Sequence, residues 1–460
     1  MHVIKYITVM IHSDSLVRKY NVPCPRYTSY PTVPYWDTNA FNKEAWLDSV
    51  SKNFSISNSN GGISVYIHLP FCESLCTYCG CNTRITVNHA VELPYIESVL
   101  HEWRLYKALF NETPVLSELH LGGGTPTFFQ PDNLHYLLQT ILNDCIVPEH
   151  AAYSFEGHPN NTTKEHLEVL YRLGFNRVSF GIQDFDETVQ RAINRMQPIE
   201  KVIQVTEEAR GVGYTSINYD LVYGLPFQTL DGIIDTVNKV IALKPDRIAY
   251  YSYAHVPWLK PGQRSFTEKD LPDNEAKRLL YETGRIMLEQ AGYIEIGMDH
   301  FALEDDELNK AVSEGTLHRN FMGYTANHTS LSIGLGVSSI SDSWEAFAQN
   351  VKTVEEYQKI VAMNEIPVFK GHILNDEDLL LRKHILSIMC KGYTHWNANE
   401  LSDDIIARLF VLHEDGLIEL SSNTLSVTLL GNAFLRNICM AFDERLWRTT
   451  TEKVMFSKAV

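Results

Sequence analysis

A repeating exchange of short apolar runs and helix-spaced stretches constrains this chain more than any other feature. Ile63–His68, Glu118–Leu121, Tyr153–Glu156, Arg177–Phe180, Ile217–Val222 and Arg247–Tyr251 read as strands. Pro94–Leu109, Asp132–Leu142, Lys164–Leu173, Ile199–Arg210, Leu230–Leu243 and Asn274–Gln290 carry apolar residues at helical period. Such alternation predicts a parallel sheet with helices outside it. Parallel crossovers are right-handed, so successive units curl the same way. The expected fold is α/β, a partial (β/α)6-type TIM-like barrel working at the C-terminal ends of its strands.

The flanks break this pattern. Residues 1–60 read as an irregular N-terminal arm and linker. The run Pro25-Arg-Tyr-Thr-Ser-Tyr-Pro-Thr32 resists helix and predicts an extended segment over the barrel opening, and Ser57–Gly62 has linker composition. From Phe369, helix spacing dominates Glu377–Met389 and Ser402–Glu414, a β-like pair falls at Leu417–Glu419 and Leu425–Thr428, and a last helix is expected over Leu430–Phe442. The chain therefore divides into an arm (1–60), a barrel with its extension (61–368) and a mostly helical C-terminal domain (369–460).

Charge and cysteine usage narrow the function. A net charge of −17 opposes nucleic acid and anionic membranes, and no basic run offsets it. No apolar stretch of about 18–20 residues occurs, so no membrane span is expected. Met1–Met10 is too short for a secretion signal, Met10 is an alternative start, and a cytoplasmic location is expected. Four of the eight cysteines fall between positions 72 and 81, which reads as metal binding rather than a disulfide framework.

That cluster follows the first strand: Tyr66-Ile-His-Leu-Pro-Phe-Cys72-Glu-Ser-Leu-Cys76-Thr-Tyr-Cys79-Gly-Cys81. Three thiolates spaced C-x3-C-x2-C can hold three irons of a [4Fe–4S] cubane and leave the fourth iron open. The competing readings are a zinc site, for which four nearby cysteines would serve, and a structural cysteine loop. Gly122-Gly-Gly-Thr-Pro126 follows the second strand and lets the backbone approach a ligand, but it lacks the ending of a phosphate loop. Glu156, Gln183 and Asp220 stand near successive strand ends, and Arg195 suits a carboxylate. Singly, each is equally a helix cap or surface group. His68 and His255 read as packed histidines, and Cys24, Cys145, Cys390 and Cys439 as free, buried thiols.

The cysteine spacing, with an aromatic before the third thiol, resembles the radical S-adenosylmethionine (SAM) superfamily. Nearly the whole chain is similar to the oxygen-independent coproporphyrinogen III oxidase family within it. The likeness runs through Pro25–Thr32, Tyr66–Cys81, Gly122–Thr127, Gly181–Phe185, Asp220–Pro226, Tyr253–Pro257, Leu317–Thr325 and Arg436–Cys439. The resemblance implies one [4Fe–4S] cluster held by Cys72, Cys76 and Cys79, with Cys81 not a ligand, and two SAM molecules per chain. The first SAM would touch Tyr66, Tyr78, Gly123, Glu156 and Ile340. The second would touch Gly124, Thr125, Gln183, Arg195, Asp220 and Ala254. Cys24, His158, Asn160 and Met322 depart from residues frequent in the family.

The resemblance further implies oxidative decarboxylation of two propionates of coproporphyrinogen III, giving protoporphyrinogen IX in haem biosynthesis without oxygen. A 5′-deoxyadenosyl radical would take a propionate β-hydrogen, CO2 would leave, and an electron would pass to an acceptor of unknown identity. An electron donor such as flavodoxin or ferredoxin, a monomer, and no nucleic-acid or membrane partner are expected. A haem chaperone and a haem-degrading methyltransferase of the same superfamily are rivals, disfavoured by the Pro25–Thr32 arm and Cys81. Nucleic-acid binding through the C-terminal hairpin is a third, opposed by the acidic charge.

Overall fold

The computed structural model describes residues 15–258, 260–449 and 456. The Met1–Met10 segment lies outside the described residues. Six parallel strands form the centre: β1 (Ile63–Leu69), β2 (Leu116–Gly123), β3 (Ala152–Gly157), β4 (Phe175–Gln183), β5 (Ser216–Tyr223) and β6 (Arg247–Ser252). They lie in sequence order within one open 12-stranded sheet. Beyond β1 the sheet continues through Ser332–Leu335, parallel to β1, and then three antiparallel strands, Ile340–Asp342, Ala346–Asn350 and Val368–Ile373. Beyond β6 it ends in the antiparallel pair His300–Leu303 and Tyr293–Gly297.

Strand alternation decides what faces the inside of the curl. Leu119 and Leu121, Tyr153 and Phe155, Val178 and Phe180, and Ile217, Tyr219 and Leu221 all belong to the main apolar core. The residues between them are polar: Glu118 and His120, Ser154 and Glu156, Ser179, and Asn218 and Asp220. Register sets these beside one another, with His120 opposite Ser154, Glu156 opposite Ser179, and Ser179 opposite Asn218. The covering helices include Glu92–Lys107, Pro131–Leu142, Lys164–Arg172, Ile199–Val212, Leu230–Leu243 and Asn274–Gln290.

Three elements differ from expectation. Lys43–Ser59 is a helix, not irregular chain, and it absorbs the start of the expected linker. Its Ser- and Asn-rich composition conceals a stripe of Trp46, Val50, Phe54 and Ser57, which is buried, and Asn42 caps its first turn. The strand Val368–Ile373 pairs with Ala346–Asn350, so the sheet runs past residue 368. The expected last helix is a 3-10 turn, Gly431–Phe434, followed by a short α-helix, Leu435–Met440. There Gly431 packs so tightly that a Cβ would stand 1.9 Å from the Leu417 carbonyl oxygen.

The C-terminal region carries the helices Asp376–Lys391 and Asp403–Glu414 and a three-stranded sheet in which Tyr393–His395 joins the hairpin Ile418–Leu420 and Thr424–Val427. The arm packs into this region: Tyr20, Cys24, Tyr27 and Tyr30 share one apolar core with Leu381, Phe434 and Phe442. Arg436 donates to the carbonyl oxygens of Cys24 and Pro25, and the Tyr27 hydroxyl donates to Asp443 at 3.1 Å.

Candidate active site

The cysteine loop leaves the C-terminal end of β1 and is fastened on three sides. Gly124 N–H donates to Leu69 O at 2.8 Å, and Thr125 N–H to Phe71 O at 3.0 Å. The glycines are required there: a Cβ on Gly124 would lie 2.6 Å from the Pro70 carbonyl, and one on Gly123, at φ 113°, would strike the His68 ring at 2.7 Å. Across the loop, Thr77 N–H donates to Ile193 O at 2.9 Å and the Asn194 amide to Leu75 O at 2.8 Å. Lys260 Nζ donates to Gly80 O at 2.8 Å.

All eight cysteines are free thiols, with Cys24 and Cys439 buried and Cys145 and Cys390 partly so. Cys72, Cys76 and Cys79 line one cavity of about 600 Å³. Cys79 is drawn down to about 6, chiefly by its hydrogen bond with Cys81, whose backbone N–H also points at the Cys79 sulfur from 3.4 Å. Burial pushes Cys72 up to about 11, and Thr125 Oγ1 lies 3.3 Å from its sulfur. Arg195 Nη1 donates to Cys76 Sγ at 3.6 Å. Among the described residues no three His, Cys, Asp or Glu side chains converge as ligands of a single ion would. Thiolates that each hold a different iron need not converge on one point. The donor set, three thiols around an open cavity with cations beside them, therefore fits a cubane better than a closed zinc site.

The same cavity is lined by Tyr78, Gly123, Gly124, Thr125, Glu156, Gln183, Arg195, Asp220 and Ala254. Two expected residues stand apart from its lining. Tyr66 lies behind it, with its hydroxyl 3.1 Å from His68 Nδ1 and its ring stacked on His120. Ile340 packs in an apolar cluster with Trp36 and Phe347. Burial works against charge on Glu156, but the His120 imidazole 3.6 Å away and the Gly123 N–H at 3.1 Å outweigh it and hold the carboxyl low. Asp220 is pushed up to about 6 by burial and by Glu156, even though Ser179 and Asn218 donate to it at 3.0 and 2.8 Å. Burial opposes the charge of Arg195, yet Tyr78 and Cys76 keep it raised. Arg195 Nη2 donates to Gly181 O at 2.6 Å, and its buried Nε has no partner. Gln183 sits at φ 68°, where a register shift in β4 turns the strand end toward the cavity.

Ser179, Asn218, Tyr251 and Lys260 belong to this region without having been singled out in the sequence. Alternation along β5 identifies Asn218, two positions before Asp220, whereas Ser179 is placed by its pairing opposite Glu156. Lys260 follows an irregular loop, and no local signal marks it. No described residue of the arm lines the cavity; the arm packs on the C-terminal helices, and Arg26 reaches Asp299 at 3.0 Å.

A parallel curl whose first strand ends in a three-thiol loop, facing a glycine turn and carboxylates on the next strands, defines the radical SAM superfamily, and the model of that superfamily matches residues 66–240. The chain is similar over nearly its full length to oxygen-independent coproporphyrinogen III oxidases. It is 38% identical to that of Synechocystis sp., over 97% of this chain and 98% of the relative, and 36% identical to that of Escherichia coli, over the same shares. The solved structure of the Escherichia coli coproporphyrinogen III oxidase, a radical SAM enzyme, superposes with a TM-score of 0.86 at 35% identity, covering 91% of this chain and 97% of that one. The chain belongs to the oxygen-independent coproporphyrinogen III oxidase family.

Proposed function

We propose that the cavity at the strand ends performs the family's reaction, the oxygen-independent oxidative decarboxylation of coproporphyrinogen III to protoporphyrinogen IX in haem biosynthesis. The carrying observation is the pairing of near full-length similarity with an intact three-thiol loop on a walled cavity. Cys72, Cys76 and Cys79 would hold one [4Fe–4S] cluster. When bound, the cluster and SAM supply an electron and a 5′-deoxyadenosyl radical able to take a propionate β-hydrogen.

The chain's own groups then position and shelter. Gly123 and Glu156 suit the ammonium and polar edge of a first SAM, and Gly124 and Thr125 stand on the side of a second. Gln183, Arg195 and Asp220 suit a second, with the open Nε of Arg195 available to a carboxylate. Asp220 and its donors, Ser179 and Asn218, form a wall that can accept a hydroxyl or ammonium group. A monomer in the cytoplasm, reduced by a flavodoxin- or ferredoxin-type donor and free of nucleic acid, is the setting this reading supports. No helix among the described residues is long and apolar enough to cross a membrane.

The test is anaerobic turnover of reconstituted protein with coproporphyrinogen III, SAM and a reductant, with the products separated and weighed. Protoporphyrinogen IX and two CO2 per substrate are expected. SAM cleavage with untouched porphyrinogen, or a methylated product, would overturn the reaction.

A further inference from the structure

Arg319 lies on the short strand His318–Asn320, which pairs with Gly323–Thr325. Its side chain is almost wholly enclosed, at 5% exposure. The guanidinium lies over the Tyr324 ring, 4.6 Å from its centre, and both Nε and Nη1 are buried without a hydrogen-bond partner. Two other buried arginines each face a carboxylate: Arg247 pairs with Asp306 at 2.7 Å and Arg382 with Asp342 at 2.5 Å. A buried cation left without an anion is strongly unfavourable, and unpaired buried donors are rare in folded proteins. A site of this kind is completed when an anion arrives.

Its surroundings lead to the cavity. The His300 ring meets the Tyr324 ring edge-on at 5.2 Å. His300 Nδ1 is 2.8 Å from the Met298 carbonyl oxygen, which can only accept, so Nδ1 carries the hydrogen and Nε2 is an acceptor. That Nε2 lies 3.4 Å from the hydroxyl of Tyr251, and Tyr251 lines the cavity. A second guanidinium, Arg26, stands 5.8 Å from the Tyr251 ring, but Asp299 and the Ser252 carbonyl already hold it, at 3.0 and 3.1 Å. Of these two cations beside Tyr251, Arg26 is engaged and Arg319 is open.

We propose that Arg319 is a substrate-binding residue that takes a propionate carboxylate of the porphyrinogen, beside Tyr251 and away from the cysteine loop. The inference rests on the reaction proposed above, whose substrate brings carboxylates into an acidic protein of net charge −17. A guanidinium can hold a carboxylate through two parallel bonds, which a lysine cannot reproduce.

Coproporphyrin III, the stable oxidised macrocycle with the same propionates, is the probe. It is titrated anaerobically into reconstituted holoenzyme containing SAM, with binding read from porphyrin absorbance. Arg319→Gln weakens binding about tenfold or more while iron content and SAM stoichiometry stay at the unaltered level. In turnover, KM for coproporphyrinogen III rises and kcat changes less, whereas a purely structural role would lower iron content and kcat together and leave KM nearly unchanged. Arg319→Lys binds between the two. An unchanged Kd in Arg319→Gln overturns the assignment and leaves the reaction standing. If that variant does not fold, an unchanged Kd in Arg319→Lys overturns it equally. Failure of the unaltered holoenzyme to bind coproporphyrin III or convert its reduced form would sink the reaction, and the anchor with it.

Discussion

Cys81 is the exposed thiol of the loop. Its backbone N–H points at the Cys79 sulfur, so in the proposed arrangement it would support a ligand without being one. Changing Cys72, Cys76 or Cys79 to Ala is expected to abolish the visible iron–sulfur absorbance and SAM cleavage, whereas Cys81→Ala keeps a cluster. Equal loss of iron in Cys81→Ala and Cys76→Ala would contradict this. Asp220 gives a second expectation. With its carboxyl raised from 3.8 to about 6, the charged form costs stability as pH climbs through that window, and the cost is relieved on acidification. In the proposed two-SAM arrangement the anion is also the form that would pair with the second SAM. Binding of that SAM therefore weakens as pH falls through about 6, whereas Glu156, held low, keeps the first. Asp220→Ala reduces equilibrium binding from two SAM per chain to one, and Asp220→Asn removes the pH dependence. A single SAM bound by the unaltered, cluster-loaded protein would refute the two-site arrangement. Glu156, Gln183 and Asp220 were legible because each falls near or just past the end of an apolar strand run. Arg319 was not, because its meaning lies in the absence of a partner, which no sequence displays.

Elements set the loop's position more firmly than its own residues do. The Gly122–Gly124 turn continues the β1–β2 pairing past the strand ends, so the loop inherits the register of the sheet. Gly124→Ala would drive a methyl group into the Pro70 carbonyl and should cost about 1–3 kcal/mol. Iron content after reconstitution should fall with the denaturation midpoint; a variant as stable and as iron-loaded as the parent would argue against the turn as a template. The six central strands were readable because buried parallel strands are apolar runs with clear breaks. Lys43–Ser59 was hidden by its polar residues, although Trp46, Val50 and Phe54 recur every four positions. The antiparallel strands beyond Ser332–Leu335 were missed because short runs such as Ala346–Asn350 have no strong alternation, and all five residues are buried.

At the scale of the molecule, the arm expected over the barrel opening is built into the C-terminal core. Tyr20, Cys24, Tyr27 and Tyr30 leave Leu381, Phe434 and Phe442 without cover if they are removed. Deleting residues 1–32 should therefore loosen the C-terminal region first, seen as faster proteolysis between residues 376 and 449, while the cysteine loop still takes up iron and decarboxylation falls. A truncated protein with parental protease resistance and product yield would refute this. The partial barrel and helical C-terminal region were legible from periodicity alone. Their attachment through Arg436 to the arm's carbonyls was not, because contacts 411 and 412 residues apart leave no local pattern.

The place of Ser332–Leu335 beside β1 bears on how the chain is made. β1 is among the first strands to leave the ribosome, yet one of its two flanking neighbours comes far later: Ser64 and Thr329, hydrogen-bonded at 2.6 Å, are 265 residues apart. At about 5–20 residues per second of synthesis, that edge waits on the order of tens of seconds for its partner. Throughout this interval the nascent protein presents unpaired backbone amides next to the three thiols of the cysteine loop. Uptake of iron by the cysteine loop is therefore expected only after the late strand has paired, and until then the exposed edge is open to pairing with other chains.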